Sequence, residues 1–165
     1  MKRRNLIIII VAVIVATPIL LLGFSVIRNV IEESQWLKSP HTSGERIKLE
    51  DTSLYVRIKG TGTPVVIIQT GLGSTSLEWW HVQDRLSRHT TVITYDRAGY
   101  GWSRNANTPR DAKNISRNLH QVLSKTKTGG PYILVGHDTG ALYSQYFARK
   151  HPGKIAAMVM VNPVT

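Results

Sequence analysis

The 165-residue chain carries 21 Lys and Arg against 10 Asp and Glu, a formal charge of +11, and no cysteine. That length is about one domain's worth, and the missing thiols exclude disulfides, thiolate metal sites and a cysteine nucleophile. The positive balance favours anionic surfaces, but the basic residues are scattered. Lys2-Arg3-Arg4 is the one tight cluster and no nucleic-acid motif accompanies it, so no nucleic-acid partner is expected.

Residues 1–5 form a short basic start. The run LIIIIVAVIVATPILLLGFSVI, residues 6–27, carries no charge. As a helix rising 1.5 Å per residue it extends about 33 Å, enough to cross a bilayer core, and Pro18 is tolerable there. Lys2, Arg3 and Arg4 precede the run; Arg28, Glu32 and Glu33 follow it. The positive-inside bias then places residues 1–5 in the cytoplasm and everything after about residue 28 outside. The competing reading is a secretory signal with its apolar core at Leu6–Val15, cleaved after Ala16, and a secreted product. Ile14 matches the small-residue cleavage pattern poorly, and the apolar run continues past that point. Residues 28–44 contain Pro40, Ser43 and Gly44, show no sustained period and read as a tether. Trp36 there suits a membrane interface or an ordinary packing contact.

From Glu45 to Thr165 the pattern is that of a folded domain. ERIKLE and LYVRIKG alternate apolar and polar residues, as half-exposed antiparallel strands do, with a hairpin turn at Asp51-Thr52-Ser53. PVVIIQT (64–70), TVITYD (91–96), YILVGHD (132–138) and IAAMVMVN (155–162) are continuous apolar runs, suited to strands buried on both faces of a parallel sheet. Helical segments fall between them at 77–88, 111–125 and 141–150. In the second, Ile115, Leu119 and Val122 share one face and Asp111 lies near the positive helix N-terminus. Two strands followed by repeated strand–helix units predict an open, mostly parallel α/β sheet.

In such a sheet ligands bind beyond the C-terminal ends of the strands. Three loops lie there. Thr70-Gly71-Leu72-Gly73-Ser74 has two glycines that permit close backbone approach, so its N–H groups can face a developing negative charge. It lacks the G-K-[ST] ending of a phosphate-binding loop. Tyr95–Ser103, YDRAGYGWS, reads chiefly as a structural loop shaped by Gly99 and Gly101, with Asp96 and Arg97 paired to each other or to neighbours. A direct catalytic role for Asp96 is the sharper alternative. The third is Gly136-His137-Asp138-Thr139-Gly140, a strand–turn–helix sequence with glycines two residues either side of Asp138. That spacing matches G-x-S-x-G with aspartate at the centre, held in strained geometry and pushed into the cleft. Its carboxylate also lies near a helix N-terminus, where anionic charge is favoured. No cofactor or metal is expected.

QTGLGSTSLEWW, TVITYDRAGYGWS and PYILVGHDTGALYSQYFARKHPGKIAAMVMVNP resemble, in order and spacing, the α/β-hydrolase superfamily over about Glu45–Pro163. The resemblance implies that Asp138 holds the nucleophile position and that the N–H groups of Leu72 and Thr139 form an oxyanion hole. It places His137 in the variable position before the nucleophile, not as the catalytic base. Haloalkane dehalogenases and epoxide hydrolases of that superfamily use an aspartate, which attacks a saturated carbon and forms an alkyl ester that activated water hydrolyses. Two features depart from that subgroup. Thr139 stands where tryptophan is usual after the aspartate, and Thr70-Gly71 replaces His-Gly.

In this fold the acid and histidine follow the nucleophile along the chain. The sequence stops at Thr165, and His41, His81, His89, His120 and His151 are not where the base belongs. The expectation is therefore an N-terminal part, preceded by a transmembrane helix, of a protein with a missing C-terminal half, in which the strand at 155–162 is an exposed apolar edge. The whole would hydrolyse a small ester, amide, epoxide or halide. The alternatives are a non-catalytic relative that binds a ligand at the same cleft, and an inactive truncated fragment.

Overall fold

The computed structural model describes residues 2–38 and 43–164. They form two compact units, Met1–His41 and Thr42–Thr165.

The first unit is one helix, α1 (Lys2–Lys38), of 37 residues. Within it Ala12–Ile31 is long and apolar enough to cross a membrane, and the side chains of residues 12–31 are all exposed. Pro18 interrupts the amide ladder without ending the helix, while Thr17 Oγ1 donates to Val13 O at 2.7 Å one turn back. The helix also runs through Arg28–Lys38, where a tether was expected. That stretch holds Glu, Gln, Leu and Lys, good helix formers, and no Gly or Pro. Pro40 and His41, also read as tether, lie outside the described residues.

The second unit is a mixed six-stranded sheet with helices on its faces. Its strands are β1 (Glu45–Lys48), β2 (Ser53–Lys59), β3 (Val65–Gln69), β4 (Val92–Tyr95), β5 (Tyr132–His137) and β6 (Ile155–Val161). Their order across the sheet is β1-β2-β4-β3-β5-β6. β1, β2 and β4 pair antiparallel, and β4, β3, β5 and β6 run parallel. The expected hairpin closes through Leu49 N–H donating to Thr52 O at 2.8 Å.

Three helices link the parallel strands: α2 (Trp80–Leu86), α3 (Ala112–Lys125) and α4 (Thr139–Lys150). Asp111 caps α3, its carboxylate accepting from Asn114 N–H at 2.8 Å. The helix expected over 77–88 is shorter: Ser76–Trp79 is a 3₁₀ turn and α2 starts at Trp80. On one face of the sheet Leu54, Ile67, Ile93 and Leu134 pack with Leu119, Val122 and Phe147 of α3 and α4. On the other, Val66, Ile68 and Val92 pack against Trp79 and Leu86. The two-residue period of β3 thus feeds both cores. A polar brace ties α2 to the sheet. Buried Gln83 accepts from Arg57 Nη1 at 2.7 Å and from Thr94 Oγ1 at 3.0 Å, and donates to Arg57 O and Val92 O.

β3 and β4 are buried on both faces, as their apolar runs predict. β5 alternates buried and half-buried residues, and β6 is largely exposed, with Met158 and Val159 nearly half accessible. An apolar run marks a strand but not its neighbours. β6 pairs with β5 on one side only and is the edge of the described sheet.

Candidate active site

The strand order positions the site. The chain leaves β3 towards β4 on one side and leaves β5 towards β6 on the other. The crevice between the C-terminal ends of β3 and β5 is therefore the switch point where open α/β sheets bind ligands. The loop Thr70–Ser74 follows β3 and Asp138 follows β5, so the topology brings both to that crevice.

Asp138 adopts φ 50°, ψ −123°, left-handed backbone that a side chain occupies at a cost. Both ends of the turn hold it there. Asp138 N–H donates to Val161 O at 3.1 Å, and Asp138 O accepts from Ala141 N–H at 3.1 Å as α4 begins. The flanking glycines are needed for space. A Cβ on Gly136 would meet the backbone of Ala141, and one on Gly140 would run into the carbonyl oxygens of Gln69 and Thr70. Gly71 has the same constraint from the opposite side: a Cβ there would lie 3.0 Å from Asp138 Cβ and Oδ2.

The result is a short contact across the switch point. Leu72 N–H donates to Asp138 Oδ2 at 2.9 Å. This hydrogen bond first, and the Thr139 N–H second, hold the Asp138 carboxyl below the usual carboxylate range, because both favour the charged form. The structure thus brings together Leu72, Asp138 and Thr139, the three site residues expected from sequence. Leu72 and Asp138 border an open cleft of about 400 Å³ that Glu78, His137 and Asn162 also line.

The histidines divide. The His137 ring sits 5.8 Å from Trp79 and its Nδ1 is buried without a hydrogen-bond partner. His120 and His151 instead stack on each other, centroids 4.8 Å apart, beside Phe147. Burial pushes His151 below the ordinary imidazole value. His81 lies on α2 and His89 just after it; His41 lies outside the described residues.

The Tyr95–Ser103 loop is the scaffold beneath the cleft. Asp96 is fully buried. Its Oδ1 accepts from Ser76 N–H at 2.7 Å and its Oδ2 from Trp102 N–H at 3.0 Å. Desolvation raises its pKa against those hydrogen bonds. A Cβ on Gly101 would collide with this carboxylate. Arg97 pairs with neighbours, one of the two arrangements expected of it, but which neighbours it meets, and the role of Gln69, were not legible in the sequence. Arg97, nearly buried, points under the first loop and donates to its carbonyls. Gln69 bridges Tyr95 Oη and Ser144 Oγ, each at 2.9 Å, tying β3 to β4 and α4 below the crevice. Arginine and glutamine in these places carry no periodic or motif signal.

These elements define an open α/β sheet with a strand–turn–helix aspartate at its switch point. The model of the alpha/beta hydrolase fold matches residues 64–165, and the chain belongs to that family. A 2-(acetamidomethylene)succinate hydrolase from Mesorhizobium japonicum is 30% identical over 126 residues, 76% of this chain and 45% of that protein. Among solved structures, a mutant of a candidate epoxide hydrolase from Pseudomonas aeruginosa superposes with a TM-score of 0.68 at 26% identity. The match covers 76% of this chain and 43% of that one. The haloalkane dehalogenase DatA from Agrobacterium tumefaciens C58, at 22% identity and TM-score 0.64, shares the fold over 73% of this chain and 40% of its own. The chain spans less than half the length of each of these, and of the other curated relatives compared.

Proposed function

We propose that this chain is the N-terminal part of a membrane-anchored hydrolase of small molecules, with Asp138 as its covalent nucleophile. The observation that carries the reading is the Leu72 N–H to Asp138 Oδ2 hydrogen bond of 2.9 Å, made by a residue held at φ 50°. It keeps the carboxylate ionised and aimed into the cleft. Of the substrate classes in view, small esters, amides, epoxides and halides, a carboxylate suits the last two. It is a poor attacker of an ester carbonyl but displaces at saturated carbon. In the halide case a carboxylate oxygen forms a C–O bond as the C–halogen bond breaks and the halide leaves with the bonding pair. Water then gives up a proton and adds to the ester carbonyl, and the N–H groups of Leu72 and Thr139 face the oxygen on which negative charge develops. Collapse breaks the bond to the alkyl oxygen, which leaves as the alcohol and restores the carboxylate.

That second step needs a base. His137 lines the cleft but is packed against Trp79; the base and its acid partner are assigned to a further part of a longer protein. The Ala12–Ile31 stretch of α1 is assigned as the membrane span, with the hydrolase unit on the extracytoplasmic side.

The test is trapping. Incubation with an alkyl halide or an epoxide gives a mass adduct that peptide mapping assigns to Asp138, and Asp138→Ala abolishes it. No adduct on this chain, with no turnover from a longer form of the protein, overturns the nucleophile. The second reading, a non-catalytic binding relative, draws on the same hydrogen bond, because the carboxylate already occupies the Leu72 donor. Ligand binding that survives Asp138→Ala, without any adduct in the parent, supports it.

A further inference from the structure

The peptide unit joining Gly71 to Leu72 is gripped at both ends. Its N–H donates to Asp138 Oδ2 at 2.9 Å. Its carbonyl, Gly71 O, accepts from Arg97 Nη2 at 2.6 Å. The other guanidinium nitrogen, Nη1, donates to Thr70 O at 2.6 Å and to Thr70 Oγ1 at 3.2 Å. Arg97 is 5% exposed and its guanidinium lies over the rings of Tyr100 and Tyr143, at 4.9 and 5.3 Å. One cation thus fixes two consecutive carbonyls of the glycine loop with its planar fork.

The loop has little else to hold that peptide plane. Gly71 has no side chain, Gly73 sits at φ +72°, and among the described residues the one other donor to Gly71 O is Ser74 N–H at a longer 3.3 Å. If the peptide turned over, its carbonyl would face the carboxylate and its donor would be lost. A charged donor on the carbonyl also polarises the amide, so the N–H at the far end becomes a stronger donor. We infer that Arg97 is a positioning residue of the site. It locks the Gly71–Leu72 peptide with its N–H towards the cleft and transmits positive charge through that peptide to the anion opposite. The relay runs from guanidinium to Gly71 carbonyl to Leu72 amide to Asp138 carboxylate. The inference deepens the proposed function but rests only on Leu72 as an anion donor, not on Asp138 as a nucleophile.

The test is NMR of the isotope-labelled 165-residue chain in detergent micelles. Side-chain carboxyl shifts report the Asp138 titration, amide shifts report Leu72, and the Ser76 and Trp102 amides that serve Asp96 report the fold. In Arg97→Met the Leu72 amide proton moves upfield and the Asp138 midpoint rises by about one pH unit, a tenfold change. Arg97→Lys, which keeps a charge but not the fork, recovers part of both. Variants whose Ser76 and Trp102 amides stay in place while Leu72 and the Asp138 midpoint do not move overturn the relay. In the unsubstituted chain the Arg97 Nη resonances follow the acid titration of Asp138, and this requires no variant to fold. Nη resonances blind to that titration overturn it equally. A missing covalent adduct would sink the nucleophile and leave these measurements standing.

Discussion

Asp96 and Asp138 occupy the same place in the sheet, each one residue past the C-terminal end of a parallel strand. Each carboxylate has backbone N–H groups turned to it: Ser76 and Trp102 donate to the first and Leu72 donates to the second, whose charged form the Thr139 N–H also favours. Yet Asp96 is sealed from solvent and burial raises its pKa, while Asp138 is partly exposed and its hydrogen bonds lower it. The backbone differs too, since Asp138 sits at positive φ. The same side chain serves as an internal strut where water is excluded and the chain is relaxed. It becomes a presented anion where the chain is kinked and the cleft is open. Solvent access and backbone geometry decide the role, not residue type or strand position.

The largest expected effect comes from Gly140→Ala. The new Cβ would strike the Gln69 and Thr70 carbonyls, so α4 must leave its seat on β3. Overpacking of this kind costs about 3 kcal/mol, to be read from urea unfolding, and the Leu72–Asp138 hydrogen bond is lost while the Asp96 contacts persist. A variant within about 0.5 kcal/mol of the parent would show that this close approach does not hold the turn.

Asp96→Asn keeps one acceptor but turns an NH₂ towards one of the two N–H donors, leaving it unpaired, at a cost of about 1–3 kcal/mol. The pH dependence sharpens the contrast. The folded pKa of Asp96 is raised above its ordinary 3.8. Its contribution is therefore complete below that value and is lost as pH rises through the folded pKa. The deficit of Asp96→Asn is accordingly greatest in acid and narrows towards neutral pH. Asp138 has the opposite sign: its folded pKa is lowered, so its contribution is present above 3.8 and lost as pH falls through the folded value. Unfolding curves of the two Asp→Asn variants, measured across that range, should bend in opposite senses.

The smallest effect is a gain. Asp138→Gly removes a side chain from left-handed backbone, and relief of that strain raises Tm by about 2–4 °C while the adduct proposed for Asp138 is not formed. An unchanged or lower Tm would show that the carboxylate's hydrogen bonds outweigh the strain they hold in place.

Much of this was legible in the residues themselves. Alternation marked β1 and β2, continuous β-branched runs marked β3 to β6, and Asp111 marked the start of α3. Glycines two residues either side of Asp138 located the turn, because close backbone approach leaves no substitute for a missing Cβ. The uncharged run of residues 6–27 predicted a long helix, though not its continuation to Lys38, since helix formers beyond an apolar stretch give no boundary.

Strand order was decided in three dimensions. Placing β3 between β4 and β5 sets the switch point, and local sequence carries no record of which strand pairs with which. The sequence already favoured a structural role for the Asp96 loop and the cleft position for Asp138; tertiary structure supplied the means, burying one under the 3₁₀ turn and leaving the other partly open at the cleft. It also sent Arg97 beneath the glycine loop, where the cation meets the carbonyl of the peptide that donates to Asp138. Periodicity and turn chemistry act over a few residues and can be read along the chain. The contacts that assemble this site span 26 residues from Arg97 to Gly71 and 66 from Leu72 to Asp138, and they exist only once the sheet has closed those distances.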